Sequence, residues 1–170
     1  MRNVVLAALP ALMLSACGGE SAPATNEATA ATVPAAFPVG EWEVSSTVER
    51  IASSDGSTPA VSAKQGDKAT RKACVADADQ LSKLFADEGA DCKVTTTYAR
   101  QGRINTAYQC KRSGGLTTPT VNGRYTADTL DVTVDTASML SGSGDYTMST
   151  KVTGKRLGDC TAEPAAPAAG

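Results

Sequence analysis

Histidine is absent from the 170 residues, and large apolar side chains are scarce: Leu, Ile, Val and Phe together number 27, with one Trp and four Tyr beside them. Without histidine the chain lacks the commonest general base, the Ser-His and Cys-His nucleophile arrangements, and most zinc and copper sites. An excess of charge of one sign is missing too. Sixteen basic side chains face 18 acidic ones, a net charge of -2 that supplies no electrostatic drive toward nucleic acid or an anionic membrane surface. The apolar share lies below that of a well-filled core, yet the net charge is too small for a disordered chain. Threonine fills the gap, with 17 copies between residues 39 and 160. A β-branched residue suits a pleated, half-buried surface, so one thin-cored β domain that needs crosslinks is expected.

At the N-terminus Met1 and Arg2 make a short positive start, and Val4 to Leu14 form an apolar run too short to span a bilayer. The run ends in Leu14-Ser15-Ala16-Cys17, which resembles the bacterial lipobox. Residues 1–16 are therefore expected to be a lipoprotein signal peptide and Cys17 the acylated first residue of the mature chain. Several acyl chains give stable anchoring where one would be marginal. An ordinary signal peptide would not require that cysteine. Gly18 in place of Asp after the cysteine points to the outer rather than the inner membrane, facing the periplasm. Residues 17–38 are rich in Ala, Thr and Pro and read as a disordered tether; 161–170 read as a tail of the same kind.

Four cysteines remain: Cys74, Cys92, Cys110 and Cys160. An even set in an exported chain reads as two disulfides. A zinc site is disfavoured because 17, 17 and 49 residues intervene, with no C-x2-C pair.

Between residues 39 and 160 the pattern is mostly strand. Trp42, Val44 and Val48 alternate with Glu41, Glu43 and Glu49, Ile51 to Gly66 read as a polar loop, and Lys68 to Val75 make a weaker strand. Asp77-Ala78-Asp79-Gln80 has the form of a capping box, and Leu81, Leu84 and Phe85 follow at helical spacing before Gly89. That predicts one helix of about eleven residues laid on the sheet. Cys92 to Cys110 read as a hairpin around Arg100-Gln101-Gly102. With Cys92, Val94, Thr96 and Tyr98 facing Ile104, Thr106, Tyr108 and Cys110, parity favours a three-residue loop. A Cys92–Cys110 bridge fits this parity, but facing Cβ atoms sit wider than a disulfide prefers, so Cys74–Cys92 with Cys110–Cys160 is the favoured pairing. Val121 to Thr126 and Leu130 to Thr136 form a further hairpin, Ser138 to Gly144 a loop, and Tyr146 to Leu157 the last strand. The expected fold class is α+β, mainly β with one short helix: a curled antiparallel β-meander of six or seven strands, an open half-barrel with the helix packed on it.

The Gly40-Glu41-Trp42-Glu43 opening, the cysteine before a short helix, the cysteines flanking a Thr-rich hairpin and the closing Gly154-Lys155-Arg156-Leu157-Gly158-Asp159-Cys160 resemble a family of small exported bacterial proteins, domain of unknown function 3617. The resemblance implies a disulfide-bonded β domain and transfers no activity. The G-x-W start and the late Arg156 are also similar to lipocalin-like barrels, which implies structural roles for Gly40, Trp42 and Arg156 and an Arg156–Trp42 cation-π contact, while Gly158 of the closing motif is assigned a structural role as well. Residues 39–160 are short for a closed eight-stranded barrel.

Glu41, Glu43, Glu49, Asp131 and Asp135 are read as a solvated face rather than a calcium site or carboxylate pair. Lys64, Lys68, Arg71 and Lys72 form a small basic run, and Tyr98, Tyr108, Tyr125, Tyr146 and Trp42 are assigned to the core. No cofactor or metal is expected. The function expected is that of a non-enzymatic, lipid-anchored envelope protein binding a partner protein or a small apolar ligand. The alternatives are a carboxylate-dependent envelope hydrolase and a structural spacer in an envelope complex.

Overall fold

The computed structural model describes residues 33–86 and 90–160. The signal peptide, Cys17, Gly89 and the tail fall outside them. Seven antiparallel strands form one open sheet: β1 (Gly40–Ser53), β2 (Lys68–Val75), β3 (Asp91–Arg100), β4 (Arg103–Arg112), β5 (Gly115–Tyr125), β6 (Thr129–Leu140) and β7 (Tyr146–Gly158). The order is β2-β1-β7-β6-β5-β4-β3. From β3 to β7 this is the expected meander. It breaks between β2 and β3, which are the two edges of the sheet. Their connection carries a 3-10 turn (Ala78–Leu81) that runs into α1 (Ser82–Phe85), and this helical stretch touches both edges. The sheet must therefore curl, and the helix closes its open side.

The helix begins with the Asp77 half of its capping box, and Gln80 reaches back to the Asp77 side chain rather than to its amide. Asp77 accepts hydrogen bonds from the amides of Asp79 and Gln80, both at 3.0 Å, and Gln80 Nε2 donates to Asp77 Oδ2. It is shorter than expected, because Arg71 of β2 donates from Nη1 to the Ala86 carbonyl and from Nη2 to the Leu84 carbonyl. Carbonyls taken by a guanidinium no longer extend the ladder, and Ala86 is already extended. Leu81, Leu84 and Phe85 are buried in the same core cluster as Trp42, Val75, Tyr108 and Val132, as the apolar stripe predicts.

The β3–β4 hairpin differs from expectation. Gln101 and Gly102 form a two-residue turn, both with positive φ (51° and 71°), a backbone matched to the twist of the flanking strands. Parity is restored by a register shift between Val94 and Thr96. Cys92 and Val94 stay on the core side, whereas Tyr98 turns outward and is 45% exposed. The two strands beyond also run longer than predicted: β5 starts at Gly115, and β6 carries Ser138 up to Leu140.

The disulfides are Cys74–Cys160 and Cys92–Cys110, not the favoured pairing. Cys92 and Cys110 are directly paired and their Cα atoms lie 3.9 Å apart, so the strands approach more closely there than the cross-strand spacing assumed. Cys74 lies opposite Glu41 on one side of β1 and Gly158 lies opposite it on the other, so the Cys74–Cys160 bridge clasps β2 to the end of β7 across the start of β1. Gly40 sits at that crossing with φ +136°, and a Cβ there would come within 2.8 Å of Arg156 Nε and closer still to the Gly158 carbonyl. Only glycine satisfies both conditions.

The ordered domain starts earlier than residue 39. Phe37, assigned to the tether, is buried; its ring lies 5.1 Å from that of Trp42 and 5.0 Å from that of Tyr125. Ala36 forms a bridge with Arg100, and the Gln101 amide donates to the Ala35 carbonyl at 3.1 Å. This segment seals one end of the half-barrel.

Candidate functional site

At the other end the helix leaves part of the concave face uncovered. Beyond Phe85 lies a cavity of about 470 Å³, within the size range of small-molecule sites. The wall comes from inward positions of the curled sheet: Ser46 and Val48 on β1, Thr117 on β5, Val134 and Thr136 on β6. β7 runs along it from Tyr146 through Met148 and Thr150 to Val152. These strands alternate in and out, so each contributes every second residue, and threonine is as frequent there as valine. The result is an apolar surface interrupted by hydroxyls. Behind Cys110 the hydroxyls of Thr106 and Tyr108 are buried without a well-aligned hydrogen bond among the described residues. Burial pushes the Tyr108 phenol up, and the neighbouring Thr106 offsets this only in part.

The mouth is built by the β1–β2 loop, which contributes Ser62, Ala63 and Asp67, together with Lys68, Arg71 and Arg112. One side chain pins this loop. Asp55 Oδ2 accepts from the amides of Gly144 (2.8 Å) and Asp145 (3.1 Å) in the β6–β7 loop, and Oδ1 accepts from the Ser57 amide (2.9 Å) and hydroxyl (2.6 Å). Ala60 N donates to the Gly144 carbonyl beside it. Above all the Ser57 hydrogen bonds hold the Asp55 carboxyl far below its ordinary value of 3.8. A depressed carboxyl stabilises the latch above its unfolded pKa, and the contribution is lost as pH falls below about 3.8 toward the folded value. Hydrogen exchange at Gly144 and Asp145 should therefore speed up, relative to intrinsic rates, on going from pH 5 to pH 2. An Asp55→Asn variant should show the faster opening at pH 5 already.

The opposite end gathers the residues of the two terminal motifs. Trp42 is fully buried and its Nε1 donates to the Pro38 carbonyl at 3.1 Å. Arg156 is its direct neighbour in register, but its guanidinium is drawn to other partners: Nε donates to the Val39 carbonyl at 2.8 Å and Nη2 to Asp159 Oδ1 at 2.8 Å. Oxygen acceptors displace the expected cation-π contact, since each offers a directed, charge-assisted hydrogen bond. Gly40 and Gly158 complete this corner.

With two disulfides in a half-barrel opened by Gly40-Glu41-Trp42 and closed by Arg156 to Cys160, the family comparison is decisive. Residues 34–160 match the family model described as a protein of unknown function, DUF3617. The chain belongs to this family. No curated protein and no solved structure matches it. The matched segment begins at residue 34, in keeping with the packed Phe37 of the DUF3617 domain.

The remaining candidates do not come together. Glu41, Glu43, Asp131 and Asp135 point from the convex face, where Lys72 lies 4.0 Å from Glu43 and Lys151 pairs with Asp131. They define no cleft, and among the described residues no cluster of three or more acidic or cysteine side chains is placed to hold a metal. Of the basic run, Lys68 and Arg71 meet at the cavity mouth, where Arg71 also caps the helix, whereas Lys72 faces Glu43. Among the described residues no helix is long and apolar enough to cross a membrane. The cavity itself was not legible. Parity identified its inward positions, but which of them the helix would leave uncovered depends on how the sheet curls.

Proposed function

We propose that the DUF3617 domain is a non-enzymatic, lipid-anchored module of the cell envelope that holds a small apolar ligand in its half-barrel. One observation carries the reading: the cavity between Phe85 and β7, whose wall mixes valine, methionine and tyrosine with threonine hydroxyls. Such a surface desolvates an apolar body and offers a few hydrogen bonds to orient it. The lipobox at Cys17 supports the anchoring, and the two disulfides suit an oxidising compartment.

Two measurements test this. Mass spectrometry of protein from the membrane fraction should find Cys17 acylated at the N-terminus; an unmodified mature end elsewhere overturns the anchoring. A neutral solvatochromic dye such as Nile red should bind the purified domain, and filling the cavity by Thr150→Trp should weaken it at least about tenfold, a loss of about 1.4 kcal/mol. Thr117→Phe, on β5 two strands away in the sheet, should do the same with circular dichroism unchanged. Equal dye binding by both folded variants overturns the cavity as the site.

A further inference from the structure

At the end where Phe37 seals the barrel, three arginines stand in a row on the convex face. Arg100 of β3 is paired with Arg103 of β4, and Arg103 with Arg124 of β5. Directly paired residues share a face, and adjacent strands are about 4.8 Å apart, so the three Cα positions span only about 10 Å. All three are exposed, and none has an ion pair among the described residues. The nearest carboxylate in register, Asp131 opposite Arg124, is paired with Lys151. Exposed Tyr98, two residues before Arg100 on the same face, adds an aromatic ring beside the row. Like charges in adjacent pairs disfavour the sheet, so the row costs stability.

The path of the chain says what it would meet. Ala36 bridges Arg100, and Val33, itself 59% exposed, lies against the Gly102 turn. The polypeptide that leads back to Cys17 therefore enters the domain beside the row. Fifteen residues lie between Cys17 and Val33, a span of at most about 55 Å. We propose that Arg100, Arg103 and Arg124 dock the domain on the anionic phospholipid headgroups of the membrane that carries its anchor, an inference that rests on lipidation of Cys17. The net charge of -2 conceals this surface, because the carboxylate that adjoins the row in register, Asp131, is paired with Lys151. Arginine suits it, since its planar fork binds phosphate oxygens in pairs. Docked this way, the domain presents the cavity mouth, at the far end of the strands, away from the bilayer.

The test uses the full mature chain with Cys17→Ser, so that binding reports the surface and not the anchor. It should co-sediment with vesicles of phosphatidylcholine containing 30% phosphatidylglycerol, release as salt is raised, and ignore pure phosphatidylcholine. At about 1 kcal/mol per arginine, the Arg100→Gln, Arg103→Gln, Arg124→Gln triple variant should partition about 100-fold less, and each single variant about fivefold less. No binding to the anionic vesicles, or equal binding to both kinds, overturns the docking surface even when Cys17 is acylated. Anionic binding by a chain whose Cys17 is unmodified in the cell would instead overturn the anchoring and leave the surface standing.

Discussion

Removing the Cys74–Cys160 bridge with the Cys74→Ser, Cys160→Ser pair is expected to destabilise the domain by about 4 to 5 kcal/mol, against about 3 kcal/mol for removing Cys92–Cys110. The difference follows from the loops they close, 86 residues apart in sequence in one case and 18 in the other. Closing the longer loop removes more freedom from the unfolded chain. The longer bridge also holds an edge: among the described residues β2 has β1 as its only neighbour in the sheet, and the disulfide ties it past β1 to the end of β7. Since small domains have only about 5 to 15 kcal/mol in total, the first variant should be close to unfolded at 37 °C. Urea unfolding of both double variants measures the difference. A larger loss from the Cys92–Cys110 pair would contradict the clasp.

Trp42→Ala should cost about 3 to 5 kcal/mol, the usual range for deleting a large aromatic from a packed interior. Trp42 is fully buried, stacks with Phe37 and spends its indole proton on the Pro38 carbonyl, so truncation leaves a cavity, frees the segment that seals the barrel end and orphans an acceptor. Phe37→Ala should lose a comparable amount, although residue 37 lies in an Ala- and Pro-rich stretch. Tyr98→Ala makes the contrast, because an exposed aromatic on the convex face should change stability by no more than about 0.5 kcal/mol. Thermal unfolding followed by circular dichroism ranks the three. A Tyr98 effect as large as that of Trp42 would mean that the outward turn of β3 is wrong.

Tyr98 and Phe37 show where the residue pattern runs out. Tyr98 alternates in phase with Cys92 and Val94, and only the register shift beside it reverses its face. A bulge adds one residue without leaving a mark in composition. Phe37 shows no periodicity at all, since it is a single aromatic in an extended lead-in; its rarity, as one of two phenylalanines, was the available signal. The same limit applies to the disulfides. Parity placed Cys92 and Cys110 on one face, yet choosing among pairings required the strand order, which puts Cys74 and the chain end on either side of β1. The arginine row was hidden for a related reason: Arg100, Arg103 and Arg124 are scattered along the chain and become neighbours only through two strand pairings.

The sequence alone determined the class of fold, the approximate positions of most strands and of the helix, the capped helical turn with its buried stripe, and the expectation of two crosslinks in a core short of leucine. Those features depend on periodicity, caps and residue type, all of which act over a few neighbouring residues. Tertiary structure decided the strand order, the cysteine partners, the sealed end at Phe37, the cavity and the arginine surface. Each of these depends on which distant strands meet and how far the sheet curls, and that is set by the packing of the whole domain around one short helix.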